Sequence, residues 1–204
     1  MEEKTYQPSA DLAPFVEYYW IGHWEVANSD SFETEVLPHL SVDIVITSAS
    51  AEVAGVATSK STRSLHGNGV VLGIKFKPGG FYPFYKKPVD RLTNQTLPLS
   101  ALFTVTRVRR VVAQLTGNDL QIVAEAEKLL RMKRPAEDPN IDAINEIITQ
   151  IQHDKNLSTV QAVCEKYELS ERTLQYVFQR YVGIGLKWIV GHFSQPDATK
   201  HQSK

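Results

Sequence analysis

The stretch SERTLQYVFQRY, residues 170 to 181, places side chains of one chemical kind at helical spacing. Arg172, Gln175, Tyr176, Gln179 and Arg180 project away from the face that carries Leu174, Val177 and Phe178. A guanidinium fork matches the O6 and N7 acceptors of guanine, and a glutamine amide matches N6 and N7 of adenine. A helix with both near its N-terminus is suited to reading base edges in a major groove. Many helical hairpins carry such faces simply as solvated surface, so the pattern alone leaves both readings open.

The surrounding elements are those needed to present such a helix. Ser170 can cap it, and Gly183 can end it by taking a positive φ. Upstream, STVQ offers Ser158 as an N-cap with Gln161 three places on, followed by a short helix whose Val160, Val163 and Cys164 face inward. KYELS interrupts the pattern, so two short helices meet at a tight turn. Before them, IDAINEIITQIQHDKN repeats isoleucine at helical spacing: Ile141, Ile144, Ile147, Ile148 and Ile151. The proline-bearing RPAEDPN, residues 134 to 140, marks a boundary. NDLQIVAEAEKLLRMKRP predicts a helix capped by Asn118, with an apolar stripe of Leu120, Val123, Ala124, Ala126, Leu129 and Leu130. TVTRVRRVVAQL predicts another, with Val105, Val108, Val111 and Val112 along one face.

The first half reads as β-structure. In YYWIGHWEV, Tyr18, Trp20, Trp24 and Val26 alternate with Tyr19, Ile21, His23 and Glu25. LSVDIVIT sets Val42, Ile44 and Ile46 against Asp43, Val45 and Thr47, and VVLGIKFKP sets Val70, Leu72, Ile74 and Phe76 against Val71, Gly73, Lys75 and Lys77. A period of two is the mark of a half-buried strand. AEVAGVATSKSTRS is suited to one or two more. The chain has 204 residues, 42% hydrophobic and 22% charged, enough to bury a core. Its net charge of −1 gives no global attraction to a polyanion. Locally, residues 158–190 set Lys166, Arg172, Arg180 and Lys187 against Glu165, Glu168 and Glu171, a near-neutral balance that predicts weak, salt-sensitive contact with phosphates.

The single cysteine, Cys164, leaves no internal disulfide framework. With no apolar leader and no stretch of membrane-spanning length, a cytoplasmic protein is expected. His23, His39, Asp43 and His66 lack ligand spacing, KPGGFYPF lacks phosphate-loop spacing, and no nucleophile, base and orienter come together. No metal, cofactor or catalytic activity is therefore expected. Trp20, Trp24, His39 and Phe81 are candidates to line an effector pocket, although such aromatics more often form core.

LSTVQAVCEKYELSERTLQYVFQRYVGIGLKW resembles the first helix-turn-helix of the AraC/XylS-type transcription regulators. YYW, LPHLSVDIVI and GIKFKPGGFYPF resemble the small β domain that precedes this unit in one branch of that family. The resemblance implies an α+β chain. A small antiparallel β domain of sandwich or barrel type spans residues 1–98, with connecting helices over 99–135. An incomplete helix-turn-helix domain follows over 136–190, and a disordered tail over 191–204. It implies double-stranded DNA as partner, with Arg172, Gln175 and Tyr176 reading bases and Ser170, Thr173, Gln179, Arg180 and Lys187 near the backbone. Tyr176 stands where the family commonly has a basic residue, and Leu186 where it has proline. A homodimer and a small-molecule effector are also implied. The family's second helix-turn-helix is not found in GHFSQPDATKHQSK, which gives the alternative expectation of weak or absent DNA binding and a β domain that binds a small molecule or partner.

Overall fold

The computed structural model describes residues 2–26 and 31–194. Its strands are β1 (Glu2–Tyr6), β2 (Val16–Glu25), β3 (Ser31–Val36), β4 (Asp43–Ile46), β5 (Ala51–Ala54), β6 (Ser61–His66), β7 (Asn68–Phe76) and β8 (Thr96–Pro98). Six form one antiparallel sheet in the order β1-β2-β7-β4-β5-β8, and β3 pairs with β6 in a separate two-stranded ribbon. The period-two patterns decide which face is buried. Tyr19 lies opposite Ile74 and Ile21 opposite Leu72, while Ile44 and Ile46 pair with Ile74 and Leu72 from the other side. All six side chains are fully buried.

That face is closed by the residues that follow β7. Phe81 and Phe84 meet Phe76 edge-on at 5.1 and 5.5 Å between ring centroids, and Phe15 meets Phe84 at 5.4 Å. Such pairs add about 0.5–1.5 kcal/mol beyond the area they bury. Phe84 belongs to α1 (Tyr82–Tyr85), and a 3-10 turn over Val89–Leu92 adds Val89 and Leu92 to the same core.

The helices α2 (Val105–Gln114) and α3 (Asp119–Arg131) come next, in the regions expected. Asn118 caps α3 by accepting from the Gln121 amide. Its apolar stripe differs from the expected one. Ile122, Val123, Ala126, Leu129 and Leu130 are buried, whereas Leu120 is 70% exposed and Ala124 also faces solvent. The reason is the capping turn, where the neighbouring Asp119 accepts hydrogen bonds from Tyr6 on β1 (2.5 Å) and His23 on β2 (3.0 Å). That side of the helix turns to the sheet, and Leu120 turns out. At the other end, Arg131 donates to Asp11 and Glu127, so both ends of α3 are tied to the β region.

The last helices are α4 (Pro139–His153), α5 (Val160–Tyr167), α6 (Glu171–Tyr181) and α7 (Leu186–Phe193). All five isoleucines of the α4 stripe are buried. The cap of α5 is Thr159, whose hydroxyl accepts from the Ala162 amide; Ser158 is helical at φ −81° and ψ 0° and closes a 3-10 turn instead. Gln161 donates to Glu165 along the helix, so the expected capping box does not form. α7 runs through Gly191, His192 and Phe193, where a disordered tail was expected to begin. The remainder of that tail, residues 195–204, lies outside the described residues. Among the described residues no helix is long and apolar enough to cross a membrane.

Candidate nucleic-acid interface

The hairpin of α5 and α6 turns within residues 168–170. Glu168 takes the left-handed conformation, φ 53° and ψ 35°, and its N–H reaches the Cys164 carbonyl. Leu169 N–H bonds the same carbonyl at 3.2 Å. Ser170 is extended and accepts from the Thr173 amide at 3.1 Å, while the two hydroxyls lie 2.8 Å apart. Leu174 and Phe178 anchor the helix in the core. Gly183 ends it at φ 102°, as a residue without Cβ can.

The opposite side of α6 faces solvent in its first turns. Arg172, Thr173 and Gln179 are exposed, Tyr176 is 58% exposed, and Lys187 at the start of α7 is exposed as well. Arg172 forms no ion pair among the described residues. Gln175 is placed differently. Its amide lies against Gly185, so close that a Cβ there would collide with it, and the side chain is half-buried. Without a rotamer change this amide is less available for base contact than the arginine.

Arg180 is committed to the protein. Its Nε donates to the Tyr82 hydroxyl at 2.6 Å and a terminal N–H donates to the Tyr176 hydroxyl at 2.8 Å. The guanidinium carbon lies 5.1 Å from the Tyr82 ring centre and 5.7 Å from that of Tyr176. Two of the five guanidinium donors are thus occupied, and a phosphate contact would compete with Tyr82.

Beside it, Tyr181 packs on Tyr82 at 4.2 Å and donates to Asp138 at 2.8 Å. Burial, then the bond to that carboxylate, push the Tyr181 phenol up to about 12. Thr93 donates to the Gly183 carbonyl at 2.6 Å, and Asn145 on α4 donates to the Pro78 carbonyl at 2.9 Å. Thr93 and Asp138 were not among the residues singled out from sequence, and nothing there linked Tyr82 to α6. Only their place in aromatic, turn and boundary segments marked them, and such segments are seldom informative about distant partners.

The effector candidates do not assemble into one pocket. Trp20 and Trp24 share the sheet face opposite the core, their indoles lying over Gly73 and Gly69 where no Cβ could fit. His39 faces Asp43 at 3.9 Å, and Asp43 lies across from Lys75, which in turn sits 5.4 Å from the Tyr18 ring centre. Burial pulls the Lys75 ammonium down, but Asp43, Tyr18 and Glu17 outweigh it and raise its pKa. Phe81 is in the core on the other side of the sheet. Two clefts of about 430 and 200 Å³ lie elsewhere, the first beside Lys77, Asp138 and Asp142, the second between α2 and α3. Among the described residues no group of three or more His, Cys, Asp or Glu is placed to hold a metal.

Residues 4–98 match the family model described as Domain of unknown function (DUF6597). The match covers the β region, including Trp20, Trp24, His39 and the Tyr82 to which Arg180 is bonded. A helical region follows this DUF6597 domain. No curated protein and no solved structure matches the chain.

Proposed function

We propose that the chain is a sequence-specific DNA-binding transcriptional regulator of AraC/XylS type, with α6 entering the major groove of double-stranded DNA. The observation that carries this reading is the bare first half of α6. Arg172, Thr173 and Tyr176 stand out from a helix whose other face is fixed in a core, behind a three-residue turn. In this reading Arg172 reads a base edge. Gln175 joins it after leaving Gly185, and Tyr176 contacts a base or sugar. Ser170, Thr173, Gln179 and Lys187 set register on the phosphates, and Arg180 supports Tyr176. Two copies would supply two reading helices to two half-sites and offset the low positive charge of one. No catalytic step, metal or cofactor belongs to this reading, and a cytoplasmic location accompanies it.

The test is a salt series of binding to DNA selected from a random pool, set against unselected DNA. Arg172→Ala should weaken binding to selected DNA by about 1–3 kcal/mol and relax preference at one base position. Equal loss on both pools would contradict base reading.

A second reading is favoured by the other half of α6. Arg180, Tyr181 and Gly183 all bond to residues outside the helix-turn-helix. Here DNA binding is weak or absent, and α6 is chiefly a brace on a β domain that binds a small molecule or partner. The half-buried Lys75, Asp43 and His39 are the groups such a ligand would meet. Absence of selection from the random pool, with an intact fold, would favour this reading.

A further inference from the structure

The helical hairpin between the two regions carries a charge that the rest of the chain does not. In residues 99–135, Arg107, Arg109, Arg110, Lys128, Arg131, Lys133 and Arg134 stand against Asp119, Glu125 and Glu127, within a chain of net charge −1. Three of these seven cations, Lys128, Arg131 and Lys133, have side-chain partners. Arg131 is held by Asp11 and Glu127, and Lys133 lies 5.7 Å from the Phe103 ring centre. Arg107 and Arg110 do not. Neither side chain forms an ion pair or a hydrogen bond among the described residues, yet both line the groove of about 200 Å³ between α2 and α3.

We infer that this groove is a binding site for a small phosphate-bearing anion. Three cations line it, Arg107, Arg110 and Lys128, against one carboxylate, Glu125, which already accepts from Lys128 at 3.0 Å. The two arginines sit three residues apart on α2 and so are neighbours on its surface, where like charges repel. An oxyanion between them removes that repulsion. Guanidinium forks meet phosphate oxygens in pairs, which favours a phosphate over a single carboxylate. The surplus of two positive charges matches a phosphate dianion. Leu129 and the half-exposed Met132 form an apolar wall, which lowers the local dielectric and strengthens the attraction. At about 30 Å³ for each water, the groove has room for about six waters, enough for a phosphate group with a short organic extension.

The site does not depend on DNA reading by α6, and its test is separate. The full chain is titrated with inorganic phosphate and with pyrophosphate at constant ionic strength, by calorimetry and by thermal melting. Saturable binding is expected, falling about tenfold in Arg107→Ala and again in Arg110→Ala. Arg109→Ala, on the same helix but outside the groove, should bind as the parent does. Without ligand, the Arg107 and Arg110 variants should melt no lower than the parent, because the repulsion is relieved. A merely structural role predicts the opposite. No saturable binding, or equal loss in Arg109→Ala, overturns the inference. Binding of DNA alone, with the same two arginines required, overturns it too, since the anion would then be a polymer backbone.

Discussion

The two ends of α6 have the same residue types and opposite surroundings. In its first turns Arg172 and Tyr176 project from a capped N-terminus into solvent, with only their own helix and turn behind them. In its last turn Arg180 and Tyr181 are bonded to Tyr82 and Asp138, and the chain is pinned at Gly183 by Thr93. An arginine is therefore no guide to its own role. One end of the helix has an accessible face, and the other fixes the direction in which that face points. A change at either end should have a different signature.

The largest effect is expected where both ends share an anchor. Phe178 is fully buried on the inner face of α6. Phe178→Ala should cost about 3–5 kcal/mol in chemical denaturation and abolish any activity of either end. A loss below about 1 kcal/mol would mean that α6 is not part of the core. Next comes Arg172→Ala, which should leave stability within about 0.5 kcal/mol of the parent and, on the proposed base-reading role, lower DNA affinity by about 1–3 kcal/mol. An equal drop in melting temperature would erase the contrast with Arg180.

Tyr181→Phe removes the hydroxyl that donates to Asp138 but keeps the ring on Tyr82. A stability loss of about 1–2 kcal/mol is expected, with the exposed face of the first turns unchanged. Hydrogen exchange should show faster opening at the last turn of α6 and not at the first. If both open together, the helix responds as one rigid piece and its ends cannot be treated apart.

The smallest effect concerns the remote clamp on α3. Burial would raise the Asp119 carboxyl, but hydrogen bonds from Tyr6 and His23 outweigh it and hold it below the ordinary 3.8. A depressed acid contributes stability above its unfolded value and loses it as pH falls through the folded one. The parent should therefore lose melting temperature more steeply than Asp119→Asn below about pH 4. Identical slopes would show that the clamp contributes nothing.

Much of this architecture is legible along the chain. Period-two runs placed β2, β4 and β7 and separated the two faces of each, because a strand's side chains alternate whatever the strand pairs with; that Tyr19 and Ile21 take the buried face of β2 was decided by the sheet. The isoleucines of α4, the Asn118 and Ser170 caps and the stop at Gly183 were legible for the same reason, since each depends on neighbours within a few residues. The short strands β1, β3 and β8 carried no such signal. β1 is EEKTY, exposed over four residues, and forms only because β2 offers it an edge.

The candidate site divides along the same line. Sequence alone determined that residues 170–181 would be an amphipathic helix with Leu174 and Phe178 inward, for helical spacing fixes which side chains share a face. Tertiary structure alone decided that Arg172 remains exposed, that Gln175 lies on Gly185, and that Arg180 is shared between Tyr176 and Tyr82. Those outcomes depend on contacts between residues as much as 98 positions apart, which no local periodicity encodes.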